Sequence, residues 1–315
     1  MPELSVVIPV YNAASTISKL YRELIPVLET EADRFEVIMV EDHGADDSWE
    51  RIQEFALNDP RVRGIRLSRN FGQHNALLCG IRSARYAMTV TMDDDLQHQP
   101  AEIPKLLQKV AEGYDVVYGT PERKAQTGVR VLVSKWTRHG LRLGGGIQAA
   151  PYLTSFRAFP TRLREAFANY GGPVVSIDAL LSWAASNFAA VPIDHAPRAG
   201  GESNYNVLKL LRHGLNILTG YTTVPLRLAS LMGFALTAFG LAILVWAVGH
   251  YFISGSTVPG FTFLASLVSI FSGAQLFALG VLGEYLGQVH WRSMTRPTYV
   301  VQAECGVASD PATVD

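Results

Sequence analysis

Three consecutive carboxylates, Asp93, Asp94 and Asp95, follow directly on the short apolar, β-prone run Ala87-Met88-Thr89-Val90-Thr91-Met92. Such a run between polar residues predicts a buried strand, so the acids emerge at its carboxyl end. Ligands of open α/β sheets bind in the crevice outside those strand ends. Asp93 and Asp95 are two apart in sequence and leave an extended chain on the same side. A pair of oxygen ligands on one side suits a hard divalent cation that also grips phosphate. A solvated acidic turn has the same local signature, and the neighbouring strand ends decide between the two.

The elements that must position these acids alternate in type. Apolar runs at 5–10, 35–40, 62–67, 87–92 and 114–119 predict five strands. Helical patterns fall between them, at 15–28, at 48–57, from Gly72 through Arg85, and after Pro100, which can open a first turn. This alternation argues for an α/β protein with a parallel, helix-covered, Rossmann-like sheet. No G-x-G-x-x-G follows the first strand and no P-loop is present, which disfavours a dinucleotide site. Polar groups instead cluster after strand one (Tyr11, Asn12), strand two (Glu41, Asp42) and strand four (Asp93, Asp95). Taken singly each cluster is an ordinary turn; on one sheet edge together they build a pocket.

A formal net charge of -1 provides no global field to recruit nucleic acid. The charged fraction of 17% is low, and the deficit is local. Between Leu228 and Gln288 the only Asp, Glu, Lys or Arg is Glu284. Residues 228–252 and 261–286 are each long enough to cross a bilayer core of ~30 Å. Arg212 and Arg227 precede the first span, and Arg292 and Arg296 follow the second. The positive-inside rule puts both flanks in the cytosol. Ahead of the spans, Val207, Leu210, Leu211, Leu215 and Leu218 share one helical face, with Lys209, Arg212 and His213 elsewhere. That basic amphipathic helix suits a bilayer surface or packing against the preceding domain. The expected organisation is a catalytic domain at 1–205, a juxtamembrane helix at 206–225, two spans within 226–290, and a cytosolic tail at 291–315. The tail, small and polar after Gln302, is expected to be disordered. Cys79 and Cys305 show neither a disulfide framework nor metal-ligand spacing, which points to a reducing compartment. The run from Leu4 follows no basic leader, so no signal peptide is expected.

Pro9-Val10-Tyr11-Asn12, Val40-Glu41-Asp42 with Asp46, Ser68-Arg69-Asn70-Phe71-Gly72 and Asp93-Asp94-Asp95-Leu96-Gln97 occur in an order and spacing that resembles the inverting family 2 glycosyltransferases. Over residues 4–301 the chain is most similar to the polyprenyl-phosphate branch, with dolichol-phosphate mannose synthase and bacterial undecaprenyl-phosphate sugar transferases. The resemblance implies a GT-A catalytic domain. It also implies inverting transfer of a sugar from a nucleotide-sugar donor to a polyprenyl phosphate, giving a lipid-linked sugar for cell-envelope glycan or glycolipid modification. Carried over, Pro9, Tyr11, Asn12, Glu41 and Asp42 would hold the nucleotide, Asp42 by accepting from a base N–H. Asn70 and Gly72 would place backbone N–H groups near donor or acceptor oxygens. Asp93 and Asp95, the catalytic pair, would bind Mg²⁺ or Mn²⁺ against the donor diphosphate, with Gln97 alongside. Asp94, counted on the donor side, occupies a variable position and is expected to face solvent. The turn Glu41-Asp42-His43-Gly44 departs from the commoner Asp-Asp-Gly-Ser form, which leaves base specificity open.

For the acceptor, Arg123, Lys124 and Arg130 form a basic stretch suited to a lipid phosphate, or else a solvated helix face. Tyr152-Leu153-Thr154-Ser155-Phe156-Arg157 resembles a family segment in which an acid before Phe-Arg is often proposed as the base. Thr154 and Ser155 stand there in this chain, leaving Asp178 downstream as the candidate base. A phosphomonoester, with a second pKa near ~6, is already ionised at neutral pH and needs positioning more than proton removal. Arg157 and the Arg198, Ser203 and Tyr205 of a Gly-rich loop are the further candidate phosphate contacts. The expected partners are a nucleotide sugar, a polyprenyl phosphate and membrane lipid, with no nucleic acid; a homo-oligomer and a monomer both fit. The closing Arg296-Pro297-x-Tyr299 pattern and two spans look bacterial, which makes undecaprenyl phosphate the default acceptor and the inner membrane the location, multi-pass. The alternatives are a non-catalytic scaffold or flippase partner that retains the fold, and a processive polysaccharide synthase. The absence of a Q-x-x-R-W stretch disfavours the latter.

Overall fold

The computed structural model describes residues 1–121, 154–172, 174–194, 223–254, 260–294 and 296–306. Eight strands form one sheet: β1 (Glu3–Val10), β2 (Arg34–Glu41), β3 (Val62–Leu67), β4 (Met88–Thr91), β5 (Val116–Pro121), β6 (Arg157–Pro160), β7 (Phe188–Ile193) and β8 (Val301–Cys305). Helices α1 (Ile17–Glu31), α2 (Ser48–Asn58), α3 (Gln73–Ser83) and α4 (Ile103–Ala111) follow the first four strands. The helix α5 (Ile177–Ala184) precedes β7, while α6 (Val224–Ser254) and α7 (Gly260–Ser293) fall between β7 and β8. The spatial order is β7-β5-β6-β4-β1-β2-β3-β8. The central β3-β2-β1-β4 block is parallel, as is the β5–β7 pair. Strand β6 runs antiparallel to both β4 and β5, and β8 runs antiparallel to β3.

Burial on both faces explains why β1 reads as an unbroken apolar run: every residue from Leu4 to Val10 is buried. Ile17, Leu20, Leu24 and Leu28, at helical spacing on α1, join Val6 and Ile8 in the core on one face. Ala76, Leu77 and Ile81 of α3 join Val7, Ile38 and Val40 in the core on the other. Helix α3 lies close against the sheet because residue 80 is glycine; a Cβ there would stand 2.3 Å from Cγ1 of Val7. From β1 the chain winds outward through β2 and β3, then crosses back to β4 on the other side of β1. The carboxyl ends of β1 and β4 therefore flank a topological switch point, where such sheets open a crevice.

Strand β6 and the tail depart from the sequence expectation. Residues 303–305 are not disordered: Val301–Cys305 pairs with β3, Gly64 opposite Cys305 and Leu67 opposite Val301, while 307–315 lie outside the described residues. An open β3 edge would present a row of unpaired backbone groups, and β8 covers it. Ala303 and Cys305 turn toward the core while Gln302 and Glu304 stay out, an alternation too short to stand out in a polar tail. A further strand-like run in the sequence, 191–196, overlaps β7, which the structure places at Phe188–Ile193.

Helices α6 and α7, of 31 and 34 residues, rise about 46 and 51 Å. The windows Leu226–His250 and Ile270–Ser293 are long and apolar enough to cross a membrane. Large apolar side chains on both helices, Phe234 and Leu276 among them, are exposed rather than covered by protein. The two helices meet closely at Gly240, where a Cβ would lie 2.8 Å from the Phe271 ring.

Candidate active site

The turn after β1 and the turn after β2 are stitched together by backbone donors. Asn12, at φ 52°, accepts the Ala45 N–H at 2.8 Å on its Oδ1. Asp46 accepts the Ala14 N–H at 2.8 Å and the Ser48 hydroxyl at 2.6 Å. Burial acts to raise the Asp46 pKa, but these bonds and the Ser48 N–H outweigh it and hold the carboxyl below its ordinary range. Residue 44 must be small, since a Cβ there would come within 2.7 Å of the Asn12 Oδ1. Glu41 is buried, accepts the Gly44 N–H and pairs with Arg66 at 3.0 Å. Burial pushes the pKa of both Glu41 and Asp42 up, against the pull of those hydrogen bonds.

Asp42 ties this assembly to the next strand end. Its two oxygens accept the N–H groups of Phe71 and Gly72, each at 2.7 Å. Gly72, at φ 94°, opens α3, and the first residue of that helix, Gln73, donates from Nε2 to Asp93 Oδ1 at 2.6 Å. The Ser155 hydroxyl, entering β6, donates to Asp93 Oδ2, and Thr91 donates to the Ser155 carbonyl at 2.6 Å. Asp93 is thus gripped from two elements that lie far from it in sequence. Asp95 accepts the Gln97 N–H at 3.1 Å across a turn in which Leu96 adopts φ 61°. A left-handed leucine costs about 1–3 kcal/mol, offset here by burial of its side chain. His98 then stacks on Phe156, ring centroids 5.2 Å apart, which fixes the far side of the turn.

Asp94 does more than face solvent. Its Oδ2 accepts the Tyr11 N–H at 3.1 Å, joining the β4 turn to the β1 turn across the switch point. Burial, with Asp93 and Asp95 beside it, pushes its carboxyl up to about 7. Tyr11 itself is half exposed at the mouth of the crevice. Pro9 is buried within β1, and Asn70 is exposed in the loop before α3. Tyr11, Asn12, Glu41, Asp42, Gly72, Asp93, Asp94, Asp95 and Gln97 consequently lie in loops linked end to end by hydrogen bonds.

Arg157 and Asp178 stand apart from this set. Arg157 is buried in β6 and its Nη1 pairs with Asp178, which also accepts the Tyr118 hydroxyl at 3.1 Å. The guanidinium lies over the Tyr118 ring at 5.8 Å. Burial and the adjacent Asp178 push the Tyr118 phenol well up. The expected phosphate ligand and the expected base are thus each other's partner. Arg123, Lys124, Arg130, Arg198, Ser203, Tyr205 and the amphipathic stretch 206–221 lie outside the described residues. Gln73 was not singled out by the sequence, and Ser155 only as the residue standing where an acid was expected. The signal for Gln73 was its place at the first position of a helix behind Gly72. An acid at 155 would have stood against Asp93, carboxylate on carboxylate.

Asp93 and Asp95 both lie on the turn after β4, and no group of three His, Cys, Asp or Glu residues close enough to hold a metal occurs among the described residues. Such a donor set fits a Mg²⁺ or Mn²⁺ whose remaining ligands come from substrate oxygens and water, and does not fit a closed structural site.

The sequence profile of glycosyl transferase family 2 matches residues 5–171. The undecaprenyl-phosphate 4-deoxy-4-formamido-L-arabinose transferase of Proteus mirabilis is 34% identical over 97% of this chain and 94% of its own. The Shewanella sediminis protein of the same description is 32% identical, over 95% and 91%. Among solved structures, glucosyl-3-phosphoglycerate synthase from Mycobacterium tuberculosis with Mn²⁺ and UDP is 20% identical, covering 70% of this chain and 78% of that one, with a TM-score of 0.49.

Proposed function

This chain belongs to glycosyl transferase family 2, and on that premise we propose that it moves a sugar, with inversion, from a nucleotide-sugar donor to undecaprenyl phosphate for envelope modification. The observation that carries the proposal is the pairing of two features on one GT-A sheet. Asp93 and Asp95 stand at the β4 end of the switch-point crevice, and two membrane-length helices are built into the same sheet between β7 and β8. A soluble acceptor would need no such anchorage; a polyprenyl phosphate sits where the anchorage leads.

The donor nucleotide is assigned to the β1 and β2 turns, Pro9, Tyr11, Asn12, Glu41 and Asp42, and its diphosphate to the β4 turn. Asp93, Asp95 and Gln97 would hold Mg²⁺ or Mn²⁺, which when bound neutralises charge on the departing nucleoside diphosphate. Gln73 and Ser155 orient Asp93 so that its oxygens hold one geometry before substrate arrives. The attacking group is an acceptor phosphate oxygen; its bond to the anomeric carbon forms as the carbon–diphosphate bond breaks, through an oxocarbenium-like transition state. That oxygen carries no proton to remove at neutral pH, so Asp178 is assigned to holding Arg157 and not to base catalysis. The catalytic unit faces the cytosol of a bacterial inner membrane, in keeping with the Arg residues that flank the span pair.

The test is to incubate the detergent-purified full chain with Mn²⁺, undecaprenyl phosphate and a panel of nucleotide sugars that includes the 4-deoxy-4-formamido-L-arabinose form. Mass spectrometry of the lipid reads donor and acceptor together. A glycosylated lipid is expected with one donor, and Asp95→Asn is expected to lower the rate by about 10³-fold with the fold retained. No lipid product with any donor, or an active Asp95→Asn, overturns the proposal.

A further inference from the structure

Where the second membrane-length helix ends, a cavity of about 830 Å³ opens between it and the sheet domain, lined by Arg82, Arg292, Arg296, Tyr170, Trp183 and Tyr299 among others. None of its described lining residues is an acid. Arg82 is fixed at its back wall: Nη2 donates to the carbonyls of Phe167 and Tyr170 at 3.1 and 2.8 Å, and the guanidinium faces the Tyr299 ring at 5.7 Å. Its Nε is buried without a hydrogen-bond partner. That Nε is closed off from the cavity, but the partly exposed guanidinium brings a fixed positive charge to the wall, and a phosphate oxygen is the acceptor that suits it. At the front, Arg296 lies over the Trp291 ring at 4.7 Å, and both Trp183 and Trp291 are half exposed.

This cavity is not the crevice of the β4 acids. Gln73, at the first position of α3, touches Asp93, whereas Arg82 comes nine residues later on the same helix, about 14 Å along its axis. The two places share no described residue. Arg, Trp and Tyr together at the end of an apolar helix are the side chains that bind the headgroup layer of a bilayer, with Arg directed to phosphate. We propose that this cavity is a second phosphate site, occupied by the phosphodiester headgroup of an anionic glycerophospholipid from the surrounding membrane. The lipid seats the sheet domain on the end of α7. The inference stands apart from the choice of donor and acceptor.

Native mass spectrometry of the full chain in detergent tests it, with phosphatidylglycerol titrated against phosphatidylcholine. Phosphatidylglycerol is expected to bind at least about tenfold more tightly, with Arg292→Ala/Arg296→Ala abolishing the preference. Arg227→Ala, at the same end of the span pair but outside the cavity, keeps it. Tryptophan fluorescence of the unmodified protein is expected to shift with phosphatidylglycerol and not with phosphatidylcholine, and Trp183→Phe is expected to remove that shift, a readout that does not depend on the arginine variants folding. Equal retention of the two lipids, or an unaltered preference in the double variant, overturns the proposal. So does displacement by millimolar inorganic phosphate, which makes the site one for free phosphate, or by equimolar undecaprenyl phosphate, which makes it the acceptor site.

Discussion

In the parallel half of the sheet, the strand-end carboxylates Asp42, Asp46 and Asp94 are met by backbone N–H groups and a serine hydroxyl, whereas across β6 and β5 the carboxylate of Asp178 is met by the guanidinium of Arg157. Both arrangements satisfy buried oxygens, but they leave different charge behind. Neutral donors orient a carboxylate without setting a fixed positive charge beside it, which leaves room in the crevice at the β1 and β4 ends for a cation. A guanidinium offsets the charge, as Arg157 does for Asp178 deep in the core and Arg66 does for Glu41 at the rim of the crevice. The counter-group, more than the acid itself, separates a ligand-facing carboxylate from a scaffold-facing one.

The largest expected effect tests the first half of that contrast. Asp93→Ala removes an oxygen pair that Gln73 and Ser155 hold in place, and transfer is expected to fall by about 10³-fold with the thermal melting point unchanged. Asp178→Ala should do the reverse. Stranding Arg157 in the core costs about 3–5 kcal/mol, read as a lower melting point, while the folded fraction keeps its turnover. If Asp178→Asn instead folds normally and loses turnover, the assignment of the pair to scaffold is wrong. Asp42→Ala falls between the two classes. It orphans the Phe71 and Gly72 N–H groups, costs about 1–3 kcal/mol, and is expected to raise the donor KM more than it lowers kcat.

The smallest effect is in the pH dependence. The Asp46 pKa is held below its ordinary value of 3.8, so the stability it contributes is present above that value and lost as pH falls through the folded one. Glu41 and Asp42, raised by burial, act oppositely: their contribution is present at low pH and lost as pH rises through their folded values. Asp46→Asn is therefore expected to reduce the fall in melting point between about pH 5 and about pH 3, by about a degree or two.

The parallel half was legible because each strand, its polar turn and its helix are contiguous, so a local pattern carries the whole unit. The triple acid, the Asn12 turn and the Glu41-Asp42 turn all fell where strand ends put them. What joins them was not legible. Asp42 reaches Phe71 and Gly72 from 29 and 30 residues away, and Ser155 reaches Asp93 across 62. Such contacts are set by strand order, and β6 breaks the simple alternation by inserting antiparallel between β4 and β5. Arg157 and Asp178 illustrate the cost of reading charge without neighbours: each looked like a reactive group, and burial side by side gives them to one another. Strand β8 escaped because its five residues alternate too briefly to signal a strand, and its partner edge is 234 residues upstream at the Leu67–Val301 pair.

That returning strand sets a leash. The pair of membrane-length helices leaves from β7 and comes back through β8, the two opposite margins of the sheet. On the β8 side the connection from the end of α7 is seven residues, 294–300, and seven residues reach at most about 25 Å. With those helices in a bilayer, as proposed, the margin next to β3 has a fixed ceiling above it, whatever the rest of the domain does. The proposed polyprenyl phosphate acceptor, held in the membrane by its tail, has little freedom to rise. The leash makes meeting it a matter of tilt and not of distance.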